Sequence, residues 1–238
     1  MPKERYFVPQ ELLLHEDISL DGTEMHHLVT VMRSKNGDVA ELVNGHGVCA
    51  QAKIVQVEKK RVILNIEDLF ISQKSTTEII LAQAIPKLNR LDFIIEKGTE
   101  LGMTQIWLFP SERGEKKTLS PTQLERLHHL SVAAMKQCGR LFLPEIKELP
   151  PLSQWLRAAE ADPLYFGSLD PQAPLFLEAL TQSSSSNAIF CVGPESGFSA
   201  NEEKILIGLG AIGTKLNNHI LRTETAAIAA LVLMTSGK

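Results

Sequence analysis

Cysteine is scarce in this chain. Its three residues, Cys49, Cys138 and Cys191, are odd in number, far apart and without C-x-x-C spacing. They form neither a disulfide framework nor a zinc knuckle, and they read as reduced core residues. The histidine pairs His26-His27 and His128-His129 are adjacent, so their members point to different faces of an element and no metal is expected. No apolar run approaches the ~18–20 residues that a bilayer span requires, and no basic, apolar leader opens the chain. The expectation is a soluble, cytoplasmic protein without membrane association. An excess of positive charge is also missing: 24 Lys+Arg stand against 28 Asp+Glu, a net charge of −4. That balance argues against a general nucleic-acid coat, because non-specific binding relies on Lys and Arg neutralising phosphates. Any RNA contact must be a local patch.

What is present divides along the chain. The 238 residues, 44% of them hydrophobic, suit one large domain or a small one joined to a medium one. Residues 1 to about 71 carry short β-branched runs broken at Asn44-Gly45 and at the charged Glu58-Lys59-Lys60, which is hairpin chemistry and predicts a small barrel. From residue 72 the rhythm changes: "IILAQAI", "RLDFIIEKGTELG", "QIWLFP" and "PTQLERLHHLSVAAMKQCGR" alternate strand and helix, predicting a parallel sheet covered by helices. "PLYFG" and "AIFCVG" add short buried strands, and Ser183 to Ser186 read as a loop. "TAAIAALVLM" is apolar on every side and too short for a span, so it predicts a buried or interface helix. No internal repeat is present.

The stretch "IFCVGPESGFSANEEKI" raises the functional question, since an apolar strand enters Gly193-Pro194-Glu195-Ser196-Gly197 and then Ser199-x-x-Glu202, a capping-box pattern. Such a turn can present unpaired backbone N–H groups to a ligand, although any tight strand-to-helix turn also needs glycine for positive φ. "GLGAIG" (208–213) matches G-x-G-x-x-G but follows a helix and leaves too little chain for a dinucleotide fold, so it is rejected as one.

Four blocks, "QAIPKLNRLDFIIEKGTELGMTQIWLFPSER", "AAMKQCGRLFLPEI", "VGPESGFSANE" and "ILRTETAAIAAL", resemble the ribosomal RNA small subunit methyltransferase E family in content and order. "RYFV" and "HHLVTVMRSKNGD" are similar to that family's RNA-binding domain. The resemblance implies a PUA-like β-barrel (1–71) followed by a SPOUT methyltransferase domain (72–238), an α/β domain with a C-terminal trefoil knot. It further implies a homodimer that takes S-adenosylmethionine and methylates N3 of one uridine in 16S ribosomal RNA, conventionally numbered 1498, within small ribosomal subunit particles.

By that resemblance the cofactor wall comprises Gly193, Pro194, Glu195 and Gly197, the glycines making room for the ligand, with Leu216, Asn217, His219, Ile220 and Leu221 from the next loop. Leu216, Ile220 and Leu221 equally suit an ordinary core. The family usually has G-P-E-G-G and L-G-x-R-I-L-R where this chain has Ser196, Asn217 and His219 at the departing positions, and "YFGSLDPQAP" is a poor match to the first cofactor loop.

Uracil N3 carries a weakly acidic proton, so methylation needs that proton removed and the lone pair aligned. Arg222, Glu224 and Arg140 are the motif-matched candidates for stabilising the anion or taking the proton, and the sequence leaves their assignment open. Thr223 reads as the N-cap of the last helix; Lys97 and Glu100 read as a solvated i, i+3 pair. RNA contacts fall to Arg5, Arg33 and Lys35, extended by Arg113. Residues 1–70 hold 8 Lys+Arg and 11 Asp+Glu, which again demands a focused patch. A methyltransferase for another RNA, or a noncatalytic ribosome-assembly factor, would share many of these features.

Overall fold

The computed structural model describes residues 4–156 and 162–236. They cluster into two compact units, one of residues up to 75 together with 132–143, the other of residues 76–131 and 144 onward. A boundary drawn at residue 71 leaves out the 132–143 segment.

The first unit contains β1 (Arg5–Phe7), β2 (Asp17–Asp21), α1 (Gly22–His26) continued by a π-helical turn (His27–Val31), β3 (Val39–Val43), β4 (Val48–Val57) and β5 (Arg61–Ile71). The strands form one mixed sheet in the order β1-β3-β4-β5-β2, with β1 parallel to β3 and the other pairs antiparallel. In β4, Ala50, Ala52 and Ile54 are buried while Gln51, Lys53 and Val55 are exposed, the period-2 pattern of a half-buried strand. Register shifts at Gln51/Ala52 and Ile54/Gln56 bend this ribbon.

The expected small barrel is here a half-barrel, with β1 and β2 at the two ends of the sheet. Both strands are short, and in place of further pairing α1 and its π-turn bring Met25, Leu28 and Val29 to the apolar face. Both hairpin turns stand where the sequence places them. Asn44 Oδ1 accepts from the amides of His46 and Val48 at 2.9 and 3.1 Å. The 141–143 segment lies on this turn: Gly47 N donates to Leu141 O, and Leu143 N to Gly45 O. A Cβ on Gly47 would sit 2.4 Å from Phe142 Cζ, so side-chain packing as well as its positive φ requires glycine there.

The second unit runs β6 (Ile79–Ala84), α2 (Leu88–Glu100), β7 (Gln105–Phe109), α3 (Pro121–Cys138, whose end clusters with the first unit), β8 (Glu145–Glu148), β9 (Leu164–Gly167), α4 (Phe176–Thr181), β10 (Ala188–Val192), α5 (Ala200–Gly208), β11 (Ile212–Thr214) and α6 (Thr223–Thr235). The sheet order is β11-β9-β10-β6-β7-β8, and every pairing is parallel. The central strands β6 and β10 are buried at every position, as a sheet covered on both faces requires. Leu81, Ile106 and Phe190 contribute to one core cluster with Leu91, Ile94 and Leu231, while Ile80, Ala82 and Ile189 contribute to another with Leu152 and Leu206. "GLGAIG" spans the end of α5 and the start of β11, in keeping with its rejection.

Two helices bear on the site. In α5, Ser199 Oγ accepts from Glu202 N at 3.0 Å and Glu202 Oε2 accepts from Ser199 N at 2.9 Å, closing the anticipated capping box. In α6, Thr223, Ala227, Ala230, Leu231 and Met234 form one buried stripe, while Val232 is 39% exposed and Ile228, Ala229 and Leu233 are half-buried. The helix is therefore apolar all round but covered on one side only. Lys97 bonds Glu100 at 2.8 Å and Glu96 at 2.7 Å, the solvated pairing expected; Glu100 first and Glu96 second hold the ammonium pKa above its ordinary value.

Leu231 is fully buried between α6 and the rest of the core, so Leu231→Ala should cost about 2–5 kcal/mol in denaturant unfolding followed by circular dichroism. Ser199→Ala removes the cap acceptor of α5 and should lower the unfolding midpoint by about 2–6 °C, measured calorimetrically.

Candidate functional site

Strand β10 delivers the chain into the glycine turn. Gly197 N donates to Pro194 O at 2.9 Å, and Gly197 has φ +71°, a conformation that favours glycine. A Cβ on Gly193 would lie 3.1 Å from Phe198 N and 3.3 Å from Gly197 C. The turn's own closure therefore leaves little room for a side chain at Gly193, the explanation that the sequence offers beside room for a ligand.

The turn is anchored from below by Glu202, 2% exposed. Its Oε1 accepts from Glu112 N at 2.9 Å and its Oε2 from Ser111 Oγ at 3.1 Å. Glu112 in turn accepts from Ser199 Oγ and from Asn201 Nδ2, and these bonds, Ser199 foremost, hold its carboxyl below the usual pKa. Arg113 is thereby set against the turn: its Nη1 donates to Phe198 O at 3.1 Å, and Ser196 Oγ donates to Arg113 O at 2.9 Å.

A second wall follows β11. Lys215 N donates to Pro174 O and Phe176 N to Lys215 O, which carries residues 216–221 past the loop before α4. Asn217 Oδ1 accepts from His219 N at 3.0 Å. The N-cap of α6 is Arg222, without a side-chain cap bond, and Ala226 N donates to its carbonyl. Thr223, read as the cap from sequence, is instead the first helical residue, and its hydroxyl donates to Gly193 O at 2.8 Å.

These loops enclose a cavity of about 270 Å³. All nine sequence-predicted wall residues line it: Gly193, Pro194, Glu195, Gly197, Leu216, Asn217, His219, Ile220 and Leu221. Gly167, Ser168 and Leu169, from the loop that matched poorly, supply a third wall, and Arg113 stands at it too. Phe190, Val192 and Ala226 give the lining an apolar side, while Ser168, Glu203, Thr214 and Thr223 give polar groups.

The three catalytic candidates have different surroundings. Arg222 is exposed between the wall residues Leu221 and Thr223. Glu224 is drawn instead to Arg90, whose Nη1 lies 3.5 Å from both Glu224 Oε2 and Glu195 Oε1; Glu195 Oε1 also accepts from Lys87 N at 3.0 Å. Arg140 belongs to the segment that clusters with the first unit, where burial pulls its pKa below the ordinary guanidinium value. In that unit Arg5 is ion-paired with Glu41, its partner in the β1–β3 register, whereas Arg33, at φ +59°, and Lys35 are exposed.

Arg90 and Gln83 were missed by the sequence reading. Gln83 had a signal: it is the one polar residue in the buried strand "IILAQA". Among the described residues, no group of three or more His, Cys, Asp or Glu is placed to hold a metal, and no helix is long and apolar enough to cross a membrane.

Comparison with known proteins agrees with this geometry. Residues 73–235 match the RNA methyltransferase domain and residues 20–67 the RNA methyltransferase PUA domain. Ribosomal RNA small subunit methyltransferase E of Buchnera aphidicola is 27% identical, over 97% of this chain and 92% of the relative. The Bacillus subtilis protein of that name is 28% identical, over 96% and 94%. The Neisseria gonorrhoeae enzyme of the same name, solved bound to S-adenosyl methionine, superposes with a TM-score of 0.83 at 28% identity, covering 98% of this chain and 97% of that one. A Legionella pneumophila protein solved with bound SAM gives 0.87 at 28% identity, covering 99% and 98%. With the domain match spanning most of its length, the chain belongs to the RNA methyltransferase family, among the ribosomal RNA small subunit methyltransferase E proteins.

Proposed function

We propose that the chain transfers a methyl group from S-adenosylmethionine to N3 of a uridine in 16S ribosomal RNA, at the position conventionally numbered 1498, in small ribosomal subunit particles. The observation that carries this reading is the cavity at the carboxyl ends of the parallel strands, whose wall contains every residue the sequence assigned to cofactor. Its lining suits the cofactor's parts. Phe190, Val192, Leu216 and Leu221 offer apolar contact to an adenine face, and Ser168, Asn217, Glu203 and Thr214 offer polar groups to a ribose and an amino acid moiety. The bound cofactor supplies an electrophilic methyl group.

The chain's own contribution is positioning and charge. Arg222 stands exposed between two wall residues, where its guanidinium can stabilise negative charge spreading onto uracil O2 or O4 as the N3 proton leaves. Glu224 and Glu195, both held by Arg90, brace the walls in this reading. Arg33 and Lys35 remain free to meet RNA phosphates, whereas Arg5 is neutralised by Glu41. We read the half-covered face of α6 as the interface of a homodimer, the passage of residues 215–221 past the 174–176 loop as the threading of a trefoil knot, and the cytoplasm as the site of action.

Incubation of the protein with labelled S-adenosylmethionine and small-subunit particles, followed by mass spectrometry of the nucleosides, should give N3-methyluridine; its absence from a folded, cofactor-bound sample overturns the reading. Arg222→Ala should lower the single-turnover rate by roughly 10²–10³ with much less change in cofactor affinity, and Arg222→Lys should recover only part of it. Light scattering should give twice the 26.3 kDa chain mass at micromolar concentration.

A further inference from the structure

Gln83 is the penultimate residue of the central strand β6, fully buried, in register with Val192 of β10 and Leu108 of β7. An apolar side chain would serve the core there. Its carboxamide instead donates through Nε2 to Ala84 O at 2.8 Å, to Thr223 Oγ1 at 3.0 Å and toward Gly193 O at 3.4 Å. Thr223 Oγ1 donates to the same Gly193 carbonyl at 2.8 Å. Three side-chain and backbone groups thus close a triangle: Gln83, Thr223 and Gly193. Gly193 opens the glycine turn and Thr223 opens α6, and both line the cavity.

The other end of the amide is costly. Gln83 Oε1 is buried with no hydrogen-bond partner, and turning the amide over would set that oxygen against the Ala84 and Gly193 carbonyls. The orientation is therefore fixed by its acceptors. A buried acceptor left unmade weakens a fold, and such exceptions cluster where the remaining bonds serve function.

We infer that Gln83 is a positioning residue for the cofactor cavity: its amide fixes the separation of the glycine turn from the start of α6 by holding the Thr223 hydroxyl on the Gly193 carbonyl. The inference rests on the proposed use of the cavity for S-adenosylmethionine. Gln83 itself does not line the cavity, so its effect on a ligand passes through Gly193 and Thr223. Without the amide, the bond from the Thr223 hydroxyl to Gly193 O is the one side of the triangle that remains, and the two walls are held less firmly.

Calorimetric titration of the full chain with S-adenosylmethionine tests this on wild type, Gln83→Leu, Thr223→Val, the double variant and Thr223→Ser, with the unliganded unfolding midpoint measured on each. Gln83→Leu and Thr223→Val should each weaken binding about five- to tenfold, as for loss of one or two net hydrogen bonds. The double variant should be no weaker than the worse single one, because both break the same link, and Thr223→Ser should restore most of the affinity. Gln83→Asn, which keeps the polarity but withdraws the amide by one methylene, should weaken binding as Gln83→Leu does and stands in for it should that variant not fold. Effects that multiply in the double variant, or wild-type affinity in Gln83→Asn with only a lowered midpoint, overturn the positioning role and leave the cofactor reading standing. A wild-type protein that takes up no S-adenosylmethionine overturns both.

Discussion

A parallel sheet cannot close its strands with tight hairpins, so every strand on one side must open into a loop that travels to a helix. In this protein β9, β10 and β6 lie side by side with β11 at the edge. The loops after β9, β10 and β11 are therefore delivered to one rim, and a ligand at that rim meets three separated segments of chain at once. The cavity follows from connectivity. The side chains around it keep it open: Glu202 pins the loop after β7 to the start of α5, and the Lys215 backbone pins the last wall to the loop before α4.

Charge is distributed by the same logic of commitment. In a chain of net charge −4, many of the cations near elements of structure are already paired: Arg5 with Glu41, Lys136 with Glu24, Arg126 with Asp92, and Arg90 with two carboxylates. Among the described residues, the exposed cations outside these pairs include Arg33, Lys35, Lys53, Lys59, Lys60 and Lys74 in one unit and Lys204 and Arg222 in the other. Attraction between exposed charges is salt-screened, so recognition of RNA in the proposed reading depends on where these guanidinium and ammonium groups stand, and on RNA shape.

The strand and helix rhythm of residues 79–138 was legible because buried parallel strands are apolar throughout and their helices are amphipathic; β6, α2, β7 and α3 fall where the pattern placed them. The cavity walls were legible through motif, since the nine residues that the family resemblance named all line the cavity. The open half-barrel was not, since two short end strands and a covering helical turn leave the same alternation as a closed barrel. Nor was the assignment of residues 132–143, because their packing on the Asn44–Gly47 turn is a long-range contact with no local period. Arg90 escaped for a related reason. Its two carboxylate partners are Glu195 and Glu224, more than a hundred residues on, and nothing in its own neighbourhood distinguishes it from a solvated helix arginine.

The places where this chain departs from the family pattern gain a physical account from the same geometry. Among the described residues only His15 and Arg33 are non-glycine residues with positive φ, so Ser196, Asn217 and His219 occupy conformations open to any side chain. A glycine at position 196 is thus not demanded by the turn, as it is at Gly197. Ser196 adds a bond instead, from its hydroxyl to Arg113 O, and Asn217 turns its loop by accepting the His219 amide, the local self-bonding that suits asparagine to turns. Ser196 and Asn217 thus each exchange backbone freedom for a side-chain tether at the edge of the cavity, whereas His219 enters this bonding through its backbone amide. At Ser196 and Asn217 the walls are kept in place by side-chain atoms where the family pattern has glycine.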